Sequence, residues 1–148
     1  MAGNSIREQI LLAVVAALRP SAAGLGATLH RSPTVAISRE QCPALVVFPE
    51  SDAITERSND RVTRELTLRI TALARAIAPA APETEADQLL TAAHAALMAD
   101  VNLGGLALGI KEIECEWEVE DADAVAAAIP ARYCITYRTL AADLATPG

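Results

Sequence analysis

Aromatic side chains make up only 3% of this 148-residue chain, with one Trp, one Phe and two Tyr. Any core must therefore be aliphatic and built largely from small residues, since 32 positions are alanine. At this length one domain still buries roughly two thirds of its unfolded surface, so disulfide or metal staples are not needed and disorder is excluded. Histidine is almost missing as well: His30 and His94 are the only two. Neither stands in a metal or nucleophile motif, and His94 borders an apolar helical stripe, where a structural role is expected. The three cysteines, Cys42, Cys115 and Cys134, form neither a disulfide framework nor a zinc knuckle; they read as small apolar strand residues in a reducing compartment.

Other absences narrow the function classes. No apolar run approaches the ~18 residues of a membrane span. Ile10 to Leu18 loosely resembles a signal-peptide core, but Glu8 offsets Arg7 just before it and Ser5-Ile6-Arg7-Glu8 has the spacing of a capping box, so an ordinary helix is expected. No Gly-x-Ser-x-Gly, P-loop or Rossmann fingerprint is present, and Gly104-Gly105 with Gly109 lacks the strand-to-helix setting of a phosphate loop. No catalytic residue, metal site or cofactor is expected, and the chain reads as a non-enzyme. Basic residues are few, 12 against 19 acidic, for a net charge of −7. A general nucleic-acid-binding surface is disfavoured, because that affinity rests on Lys and Arg neutralising phosphates.

The acid excess is local. Seven acids and one base lie between Lys111 and Asp123, while the rest of the chain is close to neutral. There Ile113, Cys115, Trp117 and Val119 alternate with Glu112, Glu114, Glu116, Glu118 and Glu120, which predicts a strand with an outward row of glutamates. Like charges at alternate positions repel, and glutamate is a poor strand former, so the row needs a cause. Two are open: pairing with Arg132 and Arg138, or with Arg69 and Arg61, on neighbouring strands, or a surface made negative to meet a basic partner or repel a passing polyanion.

Elsewhere the periodicities predict a helix from Asn4 or Ser5 to Leu18, ended by Arg19-Pro20, and a hairpin of Thr34 to Ile37 with Ala44 to Phe48. A projecting polar loop follows from Glu50 to Asp60, a candidate docking element through Ser51, Asp52, Ile54, Glu56, Arg57 and Asn59. A long half-buried strand runs from Arg61 through Ala72 until Pro79 and Pro82 end it, and a second helix opens at Thr84 with Ala86, Leu89, Leu90, Ala93 and Leu97 on one side. After an alanine-rich loop from Asp121 to Pro130 comes a last strand with Tyr133, Ile135 and Tyr137 on one face, and residues 141–148 read as a frayed tail. The sum is one α+β domain over residues 1–148, a mostly antiparallel sheet of four to five strands flanked by two main helices.

In order along the chain, the opening helix, Cys42-Pro43-Ala44-Leu45-Val46-Val47, the long alternating strand and the stretch from Ala86 to Tyr137 resemble the tail terminator (tail completion) proteins of long-tailed bacteriophages. Ala92 to Asp100, Leu103-Gly104-Gly105-Leu106, Glu116-Trp117-Glu118 and Ile135-Thr136-Tyr137-Arg138 look most alike. The resemblance implies a structural virion protein, assembled in the host bacterial cytoplasm and sited at the head-proximal end of the tail. Such a subunit forms a homohexameric ring on the last ring of tail tube protein, stops its growth and meets a head-tail connector or neck protein. Phage DNA would pass through the lumen without specific binding, and Glu112, Glu114, Glu116 and Glu118 are then candidates for a channel-facing acidic row. The competing readings are a head-tail neck or connector subunit, and a small-ligand-binding α+β domain of the cytoplasm with a pocket between sheet and helices.

Overall fold

The structure is a computed structural model that describes residues 3–75, 81–121 and 125–148, with the backbone alone at 118–121, 125 and 126. Helix α1 (Ile6–Gly24) begins as the sequence predicts: the Ser5 hydroxyl caps it by accepting from the Glu8 amide at 3.1 Å. It does not end at Pro20 but runs on to Gly24. Pro20 removes the N–H that would reach the carbonyl of Ala16, yet both residues are exposed and that carbonyl is open to solvent, while burial of Ala22 favours the extra turn.

The predicted hairpin of Thr34 to Ile37 with Ala44 to Phe48 is not formed. Strand β1 (Thr28–Arg31) pairs parallel with β2 (Ala44–Ser58), and residues 33–37 pass outside the sheet with Val35 77% exposed. The polar stretch from Glu50 is not a loop either. β2 continues through it to Ser58, turns at Asn59 and Asp60, and returns antiparallel as β3 (Arg61–Ala74). Its sequence looked loop-like because the far half of β2 is exposed on both faces, which erases the apolar alternation by which strands are recognised. A bulge between Pro49 and Ser51 accommodates Glu50, and Asn59 supplies the left-handed turn conformation (φ 55°) that asparagine tolerates well.

Helix α2 (Pro82–Met98) starts with Pro at its first position and buries the predicted stripe of Ala86, Leu89, Leu90, Ala93 and Leu97; Pro79 lies outside the described residues. Strand β4 (Gly109–Cys115) then pairs with the middle of β6 (Val125–Leu140), from Ala131 to Thr136, and β5 (Glu118–Asp121) with its beginning. The alanine-rich stretch read as a loop is thus largely strand: Val125 to Pro130 is the first third of β6. Pro130 falls where β4 has ended and β5 has not begun. Its carbonyl accepts from the Glu116 amide at 3.0 Å, so its missing N–H faces that same gap and not β3.

The sheet order is β1-β2-β3-β6-β4, with β5 continuing the β4 edge, and every pair except β1 with β2 is antiparallel. Both helices pack on one face and on each other. Leu45 and Val47 of β2, Leu66, Leu68, Ile70 and Ala72 of β3, and Ile129, Tyr133, Ile135 and Tyr137 of β6 meet Ile10, Val14, Leu18 and Leu97 there in one buried cluster. This is an α+β fold with a mostly antiparallel sheet. The last residues are not frayed: the Ile6 amide donates to the Leu144 carbonyl (2.8 Å), the Ala141 amide to the Asp60 carbonyl (2.6 Å), and Pro147 bridges Thr139. The tail therefore ties the start of α1, the β2–β3 turn and the end of β6 together. No described helix is long and apolar enough to cross a membrane.

Candidate functional site

With one face of the sheet covered by helices, the surfaces left for recognition are the open face, the far half of β2 and the β4–β5 edge. Register decides what each presents. β3 and β6 run side by side over their whole length, so Thr63, Glu65, Thr67, Arg69 and Thr71 lie on the open face beside Arg132, Cys134, Thr136 and Arg138. Beyond Phe48 no strand lies on the outer edge of β2 among the described residues, because β1 covers it only from Ala44 to Val47.

Of the six candidate docking residues, Ser51, Ile54, Glu56, Arg57 and Asn59 are exposed on this far half, with Ile54 41% exposed. Asp52 is not part of that surface. The bulge at Glu50 turns its side chain to the helix side, where it is 12% exposed and holds three elements together. The Arg7 guanidinium of α1 donates to Asp52 Oδ2 at 3.1 Å, the Tyr137 hydroxyl of β6 donates to the same oxygen at 2.5 Å, and Arg64 of β3 sits at 3.7 Å. Burial pushes the Tyr137 phenol well above its ordinary range, and the hydrogen bond to Asp52 raises it further. No local pattern announces this cluster, because the parity that points Asp52 inward depends on a bulge.

The glutamates do not form one row. Glu112 pairs in register with Tyr133 and lies on the helix side, where it lines a groove with Asp87, His94 and Cys115 of α2 and β4. A bulge between Glu112 and Glu114 then flips the strand, so Glu114 stands opposite Arg132 on the open face. Arg132 donates to Glu114 (2.9 Å), Glu116 (3.3 Å) and Glu50 (2.8 Å), and Arg69 lies 3.7 Å from Glu50 while stacking over Phe48 at 4.9 Å. Glu112, Glu114, Glu116 and Glu118, the candidate channel-facing residues, therefore do not stand in a single row: two are ion-paired to an arginine on one face, one is on the other, and the Glu118 side chain lies outside the described residues. The apolar partners of the row are not inward either. Ile113 is 47% and Trp117 58% exposed, and Cys115 is exposed; Cys115 and Trp117 only border open grooves beside Asp87 of α2.

The open face also carries a groove of about 420 Å³, walled by residues 33–37 and floored by Val46, Phe48, Thr71 and Pro130, with Arg69 and Arg132 at one end. It lies on the side opposite the helices, whereas the space between sheet and helices is filled by the core. Glu50 stands beside both arginines, 2.8 Å from Arg132 and 3.7 Å from Arg69, and offsets part of their charge. Of the two histidines, His94 Nδ1 lies 2.7 Å from the Tyr133 hydroxyl in a partly buried pair, and His30 Nε2 lies 2.9 Å from Thr28. Among the described residues no three of His, Cys, Asp and Glu gather as a metal site would require.

No protein-family model and no curated protein sequence matches the chain. The fold does have solved counterparts. A chain from the virion of a native gene transfer agent particle is similar in structure at a TM-score of 0.58 and 13% identity, over 83% of this chain and 90% of that one. At that identity the likeness concerns the fold.

Proposed function

We propose that this chain is a virion structural protein of a phage or phage-like particle, and within that class a tail terminator: a ring-forming cap that ends tail-tube growth and offers a joining surface to the head. The observation that carries the first part is the fold likeness to a gene transfer agent virion chain over nearly the full length of both. The ordered motif resemblance from the opening helix to Ile135-Thr136-Tyr137-Arg138 supports the second. The reading is non-catalytic, with the virion as location and other virion proteins as partners: copies of itself, the tube protein and a neck protein.

The geometry fits such a role in two ways. A cap must match the tube on one side and fail to match itself on the other, since a head-to-tail contact that does not close grows into a filament. The exposed far half of β2 is a strand edge able to meet a neighbour, whereas the β4–β5 edge is crowded with carboxylates. Purified protein added to growing tail tubes, scored by electron microscopy, tests the terminator reading: tubes stop at one length if it holds, and continue to lengthen if it does not. Uniform tubes that remain unattached to heads when the gene is disabled would move the protein to the neck.

A further inference from the structure

The β4–β5 edge joins two properties that pull in opposite directions. Ile113, Cys115 and Trp117 are exposed on it, and no strand lies beyond it among the described residues. An exposed apolar strand at a sheet edge is a template for a strand from a second copy. Interleaved with these residues are Glu112, Glu114 and Glu116, more carboxylates than the nearby arginine can neutralise. Arg132 shares one guanidinium among Glu50, Glu114 and Glu116, and Glu112 has neither an ion pair nor a side-chain hydrogen bond among the described residues. The Glu114 carboxyl is held above its ordinary range chiefly by its neighbour Glu116, as expected of carboxylates crowded together.

We propose that these glutamates guard the edge against self-pairing, keeping the β4 strand of a second copy from adding to the sheet. Any regular pairing that sets Ile113 and Trp117 against apolar partners also sets glutamate against glutamate across a spacing of about 5 Å, which is repulsive. The bulge between Glu112 and Glu114 and the break opposite Pro130 interrupt the same edge, and both are devices that blunt strand addition. The guard deepens the terminator reading, which needs a subunit that does not propagate on itself, and rests on that reading only for its place in the particle.

The test is sedimentation velocity at neutral pH and low salt over a range of concentrations, comparing the wild type with E112T/E114T/E116T. A control, E40Q/E56Q/D60N, removes three exposed charges away from the edge. The guard predicts that the edge variant alone shifts to larger species as concentration rises, with slowed amide exchange along β4. Adding I113R and W117R to the edge variant should return it to wild-type sedimentation, which mere misfolding would not allow. An edge variant that sediments as wild type, a control that associates equally, or association that survives the two arginines would each overturn the proposal. Tube length in the electron microscope is a separate readout, so the terminator reading can fail while the guard stands, and the reverse.

Discussion

At the scale of single residues, the cluster around Asp52 is where one substitution should matter most. Its carboxylate is largely shielded and binds Arg7, Tyr137 and Arg64, which belong to three different elements. Asp52→Asn should lower stability by about 2 kcal/mol, because it weakens two charge-assisted hydrogen bonds and leaves Arg64 short of a partner. Tyr137→Phe should lower it by about 1 kcal/mol, and a double-mutant cycle in urea should give less than the sum of the two. Additive losses would mean that the two groups act independently. Glu8 and Glu114 give the acid response its sign. Glu8 is held below its ordinary 4.5 by its two hydrogen bonds to Arg31, so its contribution is present above pH 4.5 and is lost as pH falls through the lower folded value. Glu114, held above 4.5, has the opposite sign: its repulsion is relieved as pH falls through the raised value. Stability should therefore hold from neutral pH to about 4.5 and decline below. Glu8→Gln should flatten that decline while lowering neutral-pH stability by less than about 1 kcal/mol, given how exposed the pair is; an unchanged acid limb in urea titrations would contradict this assignment.

At the scale of elements, the β2–β3 hairpin and the tail are the parts to probe. Asn59 turns the hairpin with φ 55°, so Asn59→Gly should be tolerated and Asn59→Val should lose about 1–2 kcal/mol in chemical denaturation. Equal stability of the two variants would mean that the turn relaxes without penalty. Removing residues 141–148 takes away the carbonyl that accepts from the Ile6 amide and the amide that donates to Asp60. Exchange at Ile6 should then quicken, while exchange deep in β6 stays slow; a uniform change would make the tail part of the global core instead. These same elements show what sequence can carry. Both helices and β3 were legible because each buries one face, giving Ile6, Ile10, Val14 and Leu18 one period and Leu66, Leu68, Ile70 and Ala72 another. The far half of β2 and the beginning of β6 were not, the first because it buries neither face and the second because alanine signals no single period. Parallel pairing of β1 with β2 is a long-range fact that no local pattern encodes. For the candidate site the loss was one of parity: two bulges, at Glu50 and between Glu112 and Glu114, decide which face Asp52 and each glutamate occupy.

At the scale of the whole molecule, two helices cover one face of a long sheet and leave the other face, both edges and a hairpin for assembly. That division suits a subunit whose function is its contacts: the buried cluster keeps the sheet rigid, and the exposed strands differ enough in charge to favour one neighbour and reject another. With Glu114 and Glu116 paired to Arg132 on the open face and Glu112 on the helix side, the acidic strand is divided between two faces, an arrangement the proposed edge guard accommodates. The most direct test of the central reading is electron microscopy of particles from a phage or prophage with this gene disabled, beside the same strain complemented. The account predicts overlong tail tubes accumulating with filled, unjoined heads, and uniform tails on intact particles after complementation. Particles of wild-type form and tail length from the disabled strain would contradict it.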